Sequence, residues 1–472
     1  MKQKFFSSKV TIMRCGMLIV VALLVVVPMV TMNHDKQVAS DIDNRMLQEA
    51  PTLDEGFKTF TKELQGYFSD RIGYRYEMVG AFSTLNDRCF NLMVHPTYEY
   101  GEDGWVFLRY DDTSYPDEFI NAFASYIRGM QDFCAERGKP FLYVMSPSKT
   151  RIYPEFVSKS IGELPSSDVK LRNALDERGV NYIDLADAIF ERKNDGVQVF
   201  NKVYDAGHWN TEGMYAGSQM ILDKLQEMGV NVDDVDLSDY DRIYRHRTSL
   251  LAANYPIDEE TYTYEIKEDA HPGKLIEHYG DNLEMNEFNT VYNYYENDYR
   301  DTPSMLMFQG SYFNSQGTIL QNQFSRIAEV HDYENVIDFP YYYDIFQPDV
   351  VIFENADYTA NGLHYNLENL QSASLFPVYS SVEHLSAQDM GMGSELTYEA
   401  RLAVANFSFE WEGPEISAAY VRVGDKIYDT SMKNGVIRWG ADAATIKDDD
   451  IAEIIGVDGA TRYIYECKLI AL

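Results

Sequence analysis

Positive charge is the scarcest resource in this chain. Its 472 residues carry 40 Lys and Arg against 75 Asp and Glu, a formal net charge of −35. Phosphate recognition needs Lys and Arg on the surface, so this balance argues against nucleic acid as a partner. The same field repels a polyanionic substrate at long range. A neutral glycan, or a local basic patch on the acidic surface, fits more easily. Cysteine is also sparse: Cys15, Cys89, Cys134 and Cys467 lie far apart, and none has metal-ligand spacing. At most one intramolecular disulfide can form among Cys89, Cys134 and Cys467, and buried free thiols are expected instead. Neither metal nor cofactor is indicated.

Long hydrophobic runs are equally rare, with one exception. Residues 15 to 32 read "CGMLIVVALLVVVPMVTM", preceded by Lys2, Lys4, Lys9 and Arg14 with no acid among the first 14 residues. At about 1.5 Å per residue the run nearly matches a ~30 Å hydrocarbon core. Positive charge on its N-terminal side predicts that end in the cytoplasm and everything after residue 36 outside. A cleaved signal peptide is the competing reading. No small-x-small site directly follows the run, and "VAS" at 38 to 40 comes only after polar residues, so a retained single-pass anchor in the cell membrane is expected.

Residues 1–36 thus form a cytoplasmic tip and anchor, and 37–99 read as a charged, partly helical stalk. From about 100 to 394 helix and strand alternate. "EFINAFASYIRGMQDFCAERGKP" puts Phe119, Phe123, Tyr126, Ile127, Met130, Phe133 and Cys134 on one helical face, with Gly138 as the stop. "FLYVM", "SMLMF" and "DVVIF" are short apolar runs of the kind buried parallel strands show. Asn210 is positioned to cap a helix running to about Met228. This order predicts an α/β fold, a parallel sheet flanked by helices. Residues 236–300, rich in Tyr, Asp and Glu, read as an insertion. Period-two alternation in 395–472 predicts a small antiparallel β domain. Two roles stay open for its Trp411, Tyr420 and Trp439: glycan binding at the surface, or filling of a small core.

Ligands of an open parallel sheet gather beyond the carboxyl ends of its strands. Asp205 and His208, in "VYDAGHWNTEG", follow an apolar stretch and precede a helix. A D-x-x-H turn lets an acid hold the histidine tautomer and stabilise its protonated form. The nucleophile candidate is Ser311 in "MLMFQGSYFNSQG", read as ending a strand and opening a helix, with Gly310 permitting a tight backbone. Taken singly, either residue is as readily a helix cap. Ser146 and Ser148 also follow a strand, but Pro147 between them suggests a loop.

The motifs "GEDGWVFL", "LYVMSPSKTRIYPE", "DAGHWNTEG" and "LMFQGSYF", in that order, resemble the SGNH-hydrolase-like proteins of the alginate O-acetyltransferase type, AlgX and AlgJ. The stalk segments "DNRMLQEAP" and "YFSDRIGYR" resemble that group's N-terminal signature. The resemblance spans roughly residues 41 to 385 and rests on order and spacing. It implies an SGNH-hydrolase-like fold in which Asp205 orients, His208 acts as base and Ser311 attacks. Lys149 and Arg151 fall in a loop that looks like the group's Pro-x-Lys loop, so substrate contacts from them, and from Trp209, are expected, a solvated basic pair being the other reading. Oxyanion stabilisation is expected near Gly310, and Asn355, which follows the apolar run "VVIF", is read either as an oxyanion donor or as a turn-forming residue. Two features depart from the group: two residues rather than one separate Asp205 from His208, and Gly310 stands where Asp or Thr is usual.

The function so implied is extracytoplasmic O-acetylation of a cell-surface or secreted polysaccharide. A multi-pass membrane acyltransferase would deliver acetyl groups outward. An acetylesterase with the same triad, and a non-catalytic scaffold of an acetylation or export complex, are the alternatives.

Overall fold

The computed structural model describes residues 9–36, 38–40, 45–52, 57–95, 97–109, 115–161, 167–250, 255–276, 283, 292–314, 318–400 and 402–472. The parts of the expected stalk and insertion at 41–44, 53–56, 251–254, 277–282 and 284–291 lie outside them. The chain divides into two compact units: 1–109 with Lys202–Ala206 and Arg245–Thr261, and the remainder.

The first unit opens with helix α1 (Lys9–Val30). Its Thr11–Val30 stretch is long and apolar enough to cross a membrane, with mean hydropathy 2.5. Strands β1 (Ala39–Ser40) and β2 (Arg45–Met46) pair antiparallel, and helices α2 (Phe57–Arg71) and α3 (Arg75–Phe90) follow. The motif "YFSDRIGYR" makes the corner between these helices. Asp70 accepts the Gln48 N–H at 2.9 Å, Arg71 Nε donates to the Gln48 carbonyl at 2.6 Å, and Gly73 N–H donates to the Pro28 carbonyl at 2.9 Å. The hairpin β3 (Tyr98–Tyr100) and β4 (Val106–Leu108) then packs in a small core with Met93, Ala206, Leu250 and Tyr255.

The second unit carries α4 (Asp117–Glu136), β5 (Phe141–Ser146), α5 (Lys149–Ile152), α6 (Ser167–Glu177), β6 (Tyr182–Asp184), α7 (Ala186–Asn194) and α8 (Thr211–Glu227). The ribbon of β7 (Tyr240–Ser249) and β8 (Pro256–Ile266) has its loop end counted with the first unit. Next come β9 (Lys274–Leu275), β10 (Tyr292–Glu296), β11 (Ser304–Gln309), α9 (Thr318–Gln321), β12 (Arg326–His331), α10 (Phe339–Phe346), β13 (Val350–Ala356) and α11 (Leu367–Ser372). The sheet order is β6-β5-β13-β11-β12-β10-β9. The first five strands are parallel, as expected, while β10 and β9 add antiparallel at one edge. The expected insertion therefore supplies two edge strands; half-covered edges of this kind carry little periodic signal.

Every residue of β5, β11 and β13 is buried, the signature of strands covered on both faces. All seven face residues expected of α4 are buried, and its Phe123 ring meets Tyr143 and Phe353 edge-on. α8 packs against β5 and buries Ile221, Leu222 and Leu225. Its N-terminus is capped as expected: the Asn210 side chain accepts from the N–H groups of Glu212 and Gly213. Gly229, at φ 84°, ends the element.

Strands β14 (Ser386–Met392), β15 (Leu396–Tyr398), β16 (Val404–Glu410), β17 (Ala418–Val423), β18 (Lys426–Asp429), β19 (Ser431–Lys433), β20 (Val436–Asp442), β21 (Ile451–Val457) and β22 (Thr461–Ala471) form the C-terminal part. Most pair antiparallel, but β14 and β15 run parallel to β22. Trp439 and Tyr420 are buried inside, and Trp411 lies against Phe409 and Tyr465 with its Nε1–H on the Pro414 carbonyl. Trp439 and Tyr420 thus fill the core, and Trp411 packs against it partly exposed. Against α10, Gly440 of β20 leaves room for Ile345, whose Cδ1 would lie 2.8 Å from a Cβ there.

Glu329 of β12 is fully buried, with Gln321 Nε2 donating to it at 2.7 Å. Burial pushes its carboxyl from 4.5 to about 7, against the pull of Gln321 and Asn293. Between those values the folded protein holds a proton that the unfolded chain has released, so this contribution to stability falls as pH rises through that window. In Glu329→Gln the unfolding free energy relative to wild type should rise by on the order of 1–3 kcal/mol between about pH 4 and about pH 8, read from urea midpoints.

Candidate active site

β11 is the central strand, flanked by β13 and β12, and the chain leaves its carboxyl end at Gly310. Ser311 follows in a turn closed by the Phe313 N–H on the Gly310 carbonyl at 3.2 Å. No helix opens at the serine: residues 311–314 form a turn, so the expected strand-to-helix elbow is a strand-to-turn one. His208 immediately precedes Trp209, which bridges to Phe200, and Asn210, the cap of α8. Its Nε2 is 2.9 Å from Ser311 Oγ, although 103 positions separate them in sequence.

Two aromatic residues next to this pair hold it in place. Trp209 is completely buried, donates its Nε1–H to the Tyr312 carbonyl at 3.1 Å, and packs edge-on against Tyr312 and Phe313. The expectation that Trp209 contacts substrate is corrected accordingly: its bulk fastens the serine turn from below. The Tyr312 hydroxyl donates to the carbonyls of Gly207 at 2.7 Å and Pro147 at 3.0 Å, and its ring stands edge-on to His208. Serine turn, histidine loop and the loop after β5 are thus tied through one side chain.

Glu354 of β13 lies beneath the turn. Ser146 Oγ donates to its Oε1 at 2.5 Å and Gly310 N–H to its Oε2 at 2.8 Å. Gly310 N–H is therefore committed to a carboxylate rather than facing a reacting oxygen. Asn355 occupies the opposite face of the strand, where Oδ1 accepts from the Tyr143 hydroxyl inside the core. Its Nδ2 is buried with no hydrogen-bond partner among the described residues. Neither oxyanion expectation is met by a group aimed at the His208–Ser311 pair.

Lys149 and Arg151 fall on the short helix α5. Lys149 is buried, and Arg151 pairs with Asp184 at 2.6 Å, with Asp168 and Asp357 at 3.7 Å. A solvated basic pair is not what forms. Asp357 accepts from Ser148 N–H at 3.1 Å, and burial pushes its carboxyl up to about 7 despite Arg151.

Asp205 belongs to the first unit and is buried there. Burial, and then the charge of Asp205, raises the Tyr98 phenol above its ordinary value. The loop leading to it is gathered by Glu259 of β8, which accepts the N–H groups of Lys202 (2.7 Å), Val203 (3.0 Å) and Tyr204 (2.5 Å). Sequence reasoning missed Glu259 and Glu354. A signal existed for the second, a carboxylate inside the apolar run "VVIFENA". Among the described residues no group of His, Cys, Asp or Glu is arranged to hold a metal ion.

A serine at the end of the central strand of a parallel sheet, with a histidine brought to its hydroxyl, is the layout of an SGNH hydrolase-like domain. Residues 99–255 match the family model described as SGNH hydrolase-like domain, acetyltransferase AlgX. The resemblance read from the sequence holds over that stretch, which includes Asp205, His208, Lys149 and Arg151 and ends before Ser311. Among solved structures, the chain is similar to Bacillus cereus PatB1 with a sulfonyl adduct (16% identity, 55% of this chain and 95% of that one, TM-score 0.45). It is similar also to the O-acetyltransferase domain of Pseudomonas putida AlgJ (16%, 56% and 92%, TM-score 0.40). A third is Pseudomonas aeruginosa AlgX (12%, 73% and 86%, TM-score 0.42). The search of curated proteins returns no match.

Tyr312→Phe leaves the Gly207 and Pro147 carbonyls without their shared buried donor. It should lower the unfolding free energy by about 1–3 kcal/mol in a urea titration. It should also slow modification of Ser311 by a sulfonyl fluoride, measured by mass spectrometry.

Proposed function

We propose that this protein is a membrane-anchored, extracytoplasmic O-acetyltransferase acting on a cell-surface or secreted polysaccharide. The observation that carries the reading is the 2.9 Å separation of His208 Nε2 and Ser311 Oγ at the end of the central strand. That distance lies within the range over which a base takes a proton from a nucleophile. The match of residues 99–255 to an acetyltransferase domain model supplies the transferred group.

In the proposed reaction Ser311 Oγ attacks the acetyl carbonyl carbon of the donor while His208 Nε2 takes the hydroxyl proton. The donor's bond to the acetyl group breaks, and its leaving group takes the proton from His208. A sugar hydroxyl then gives its proton to His208 and attacks the acetyl-serine, and Ser311 Oγ recovers the proton as the acetylated sugar departs. Asp205 is assigned the orientation of His208 and stabilisation of its cationic form, the part a D-x-x-H acid plays. Arg151, already surrounded by carboxylates, braces the loop after β5 in this scheme. The apolar helix Lys9–Val30 supports anchoring, and a multi-pass membrane acyltransferase would bring acetyl groups across to this side.

Polysaccharide acetylation should be lost in cells carrying Ser311→Ala or His208→Ala. In the purified protein each should lower the acyl-transfer rate by roughly 10³-fold or more, with Asp205→Ala the mildest of the three. Circular dichroism of each variant should match wild type. Full acetylation with Ser311→Ala would leave only a scaffolding role, and release of free acetate in place of acetylated glycan would make the protein an esterase.

A further inference from the structure

Glu354 is a fully buried carboxyl that the reaction just described does not use. It accepts from Ser146 on β5 and from the backbone of Gly310, the residue immediately before Ser311. A Cβ placed at Gly310 would lie 3.3 Å from Glu354 Oε2. The absence of a side chain there is what lets a carboxylate from the next strand come so close under the nucleophile turn. Three elements are thereby linked through one side chain: the end of β5, the end of β13 and the turn after β11.

We infer that Glu354 is a positioning residue for the proposed acyl transfer, holding the Gly310–Ser311 turn and, when ionised, stabilising the cation that His208 becomes. The inference rests on the reading of Ser311 as nucleophile. When Ser311 Oγ gives its proton to His208, positive charge appears on an imidazole that is partly withdrawn from solvent. A fixed carboxylate within electrostatic reach lowers the energy of that state and reorganises little as the charge forms.

The groups around Glu354 support this assignment. Burial pushes its carboxyl from 4.5 to about 7, and among the influences that pull it back is the charge of His208. The other titratable neighbours are Asp332, at the end of β12, whose Oδ2 is 3.6 Å from the same Cβ position at Gly310, and Tyr143 on β5. Burial raises the Tyr143 phenol first, and the charges of Glu354, Asp332, Asp184 and Asp357 raise it further. Of these neighbours only His208 can become a cation. Above about pH 7 Glu354 is ionised and supports it; below, the carboxyl is protonated and that support is lost.

Glu354→Gln tests this directly, because the amide keeps an acceptor for Gly310 N–H and a polar group for Ser146 while removing the charge. In full-length protein labelled at histidine, the His208 imidazole resonance, identified by its loss in His208→Gln, reports that residue's pKa without requiring turnover. The pKa should fall by about one unit in Glu354→Gln. The plateau rate of Ser311 acetylation by p-nitrophenyl acetate should fall about tenfold with KM unchanged, and the acidic limb of its pH profile should move to lower pH. Identical His208 pKa values in variant and wild type overturn the inference, whatever the rates.

Should Glu354→Gln fail to fold, Ser146→Ala removes one hydrogen bond from the ionised carboxylate. It should move the titration of Glu354 upward, read as an upward shift of the same limb; an unmoved limb overturns the inference. If the His208 pKa falls in Glu354→Gln but wild-type Ser311 takes no acetyl group, the coupling stands and the acyl-transfer reading fails.

Discussion

The parallel register of β5, β13 and β11 is the constraint on which the candidate site depends. Parallel neighbours all finish at the same edge, so Ser146, Glu354 and Gly310 arrive at one level from three separate parts of the chain. The residues that hold them together are polar because backbone groups beyond the last ladder bond still need partners. The Glu354 carboxylate meets that need for the Gly310 N–H and takes the Ser146 hydroxyl as a second donor. Burial makes the charge of this carboxyl, below the serine, dependent on pH in the neutral range.

Buried acidity recurs throughout the second unit, in a chain with few cations to balance it. Glu212, in the first turn of α8, is nearly inaccessible and is held by Arg192 and by the hydroxyls of Tyr262 and Tyr264. Arg137 grips Asp429 with two nitrogens between α4 and β18. Among the described residues Glu354 and Glu329 have no such cation and rely on hydroxyl, amide and backbone donors instead. Buried carboxyls thus fall into two sorts: those below their ordinary range, such as Glu212, and those raised by burial, such as Glu329, Glu354 and, despite Arg137, Asp429. The second sort is where proton occupancy can change under ordinary conditions.

The sequence made the main scaffold legible because its signals are local. The α4 face, the Asn210 cap and the apolar runs of β5, β11 and β13 each declare themselves within about 20 residues or fewer. His208 and Ser311 could be singled out because each follows an apolar stretch and the family order of motifs is kept. What stayed hidden is non-local. Gly310 and Glu354 are 44 positions apart, and a charged residue inside an apolar run reads as readily as a strand end. Trp209 looked like a surface ring beside a histidine; burial, which no short pattern encodes, made it a floor. Strands β9 and β10 escaped notice because β9 is only two residues long and covers β10 at just two positions, which leaves almost no periodicity.

Glu259 binds three successive backbone N–H groups just ahead of Asp205, from a strand more than 50 positions further along. The segment that presents the aspartate therefore has no shape of its own until β8 has been made and docked. Closing so large a chain loop is slow and entropically costly compared with winding α8. During synthesis His208 and its helix can form while the aspartate beside them in the chain is still without a fixed conformation. Neighbouring stretches of chain thus take shape by different routes: the histidine helix winds largely on local contacts, whereas the loop before it is held back until the ribbon emerges.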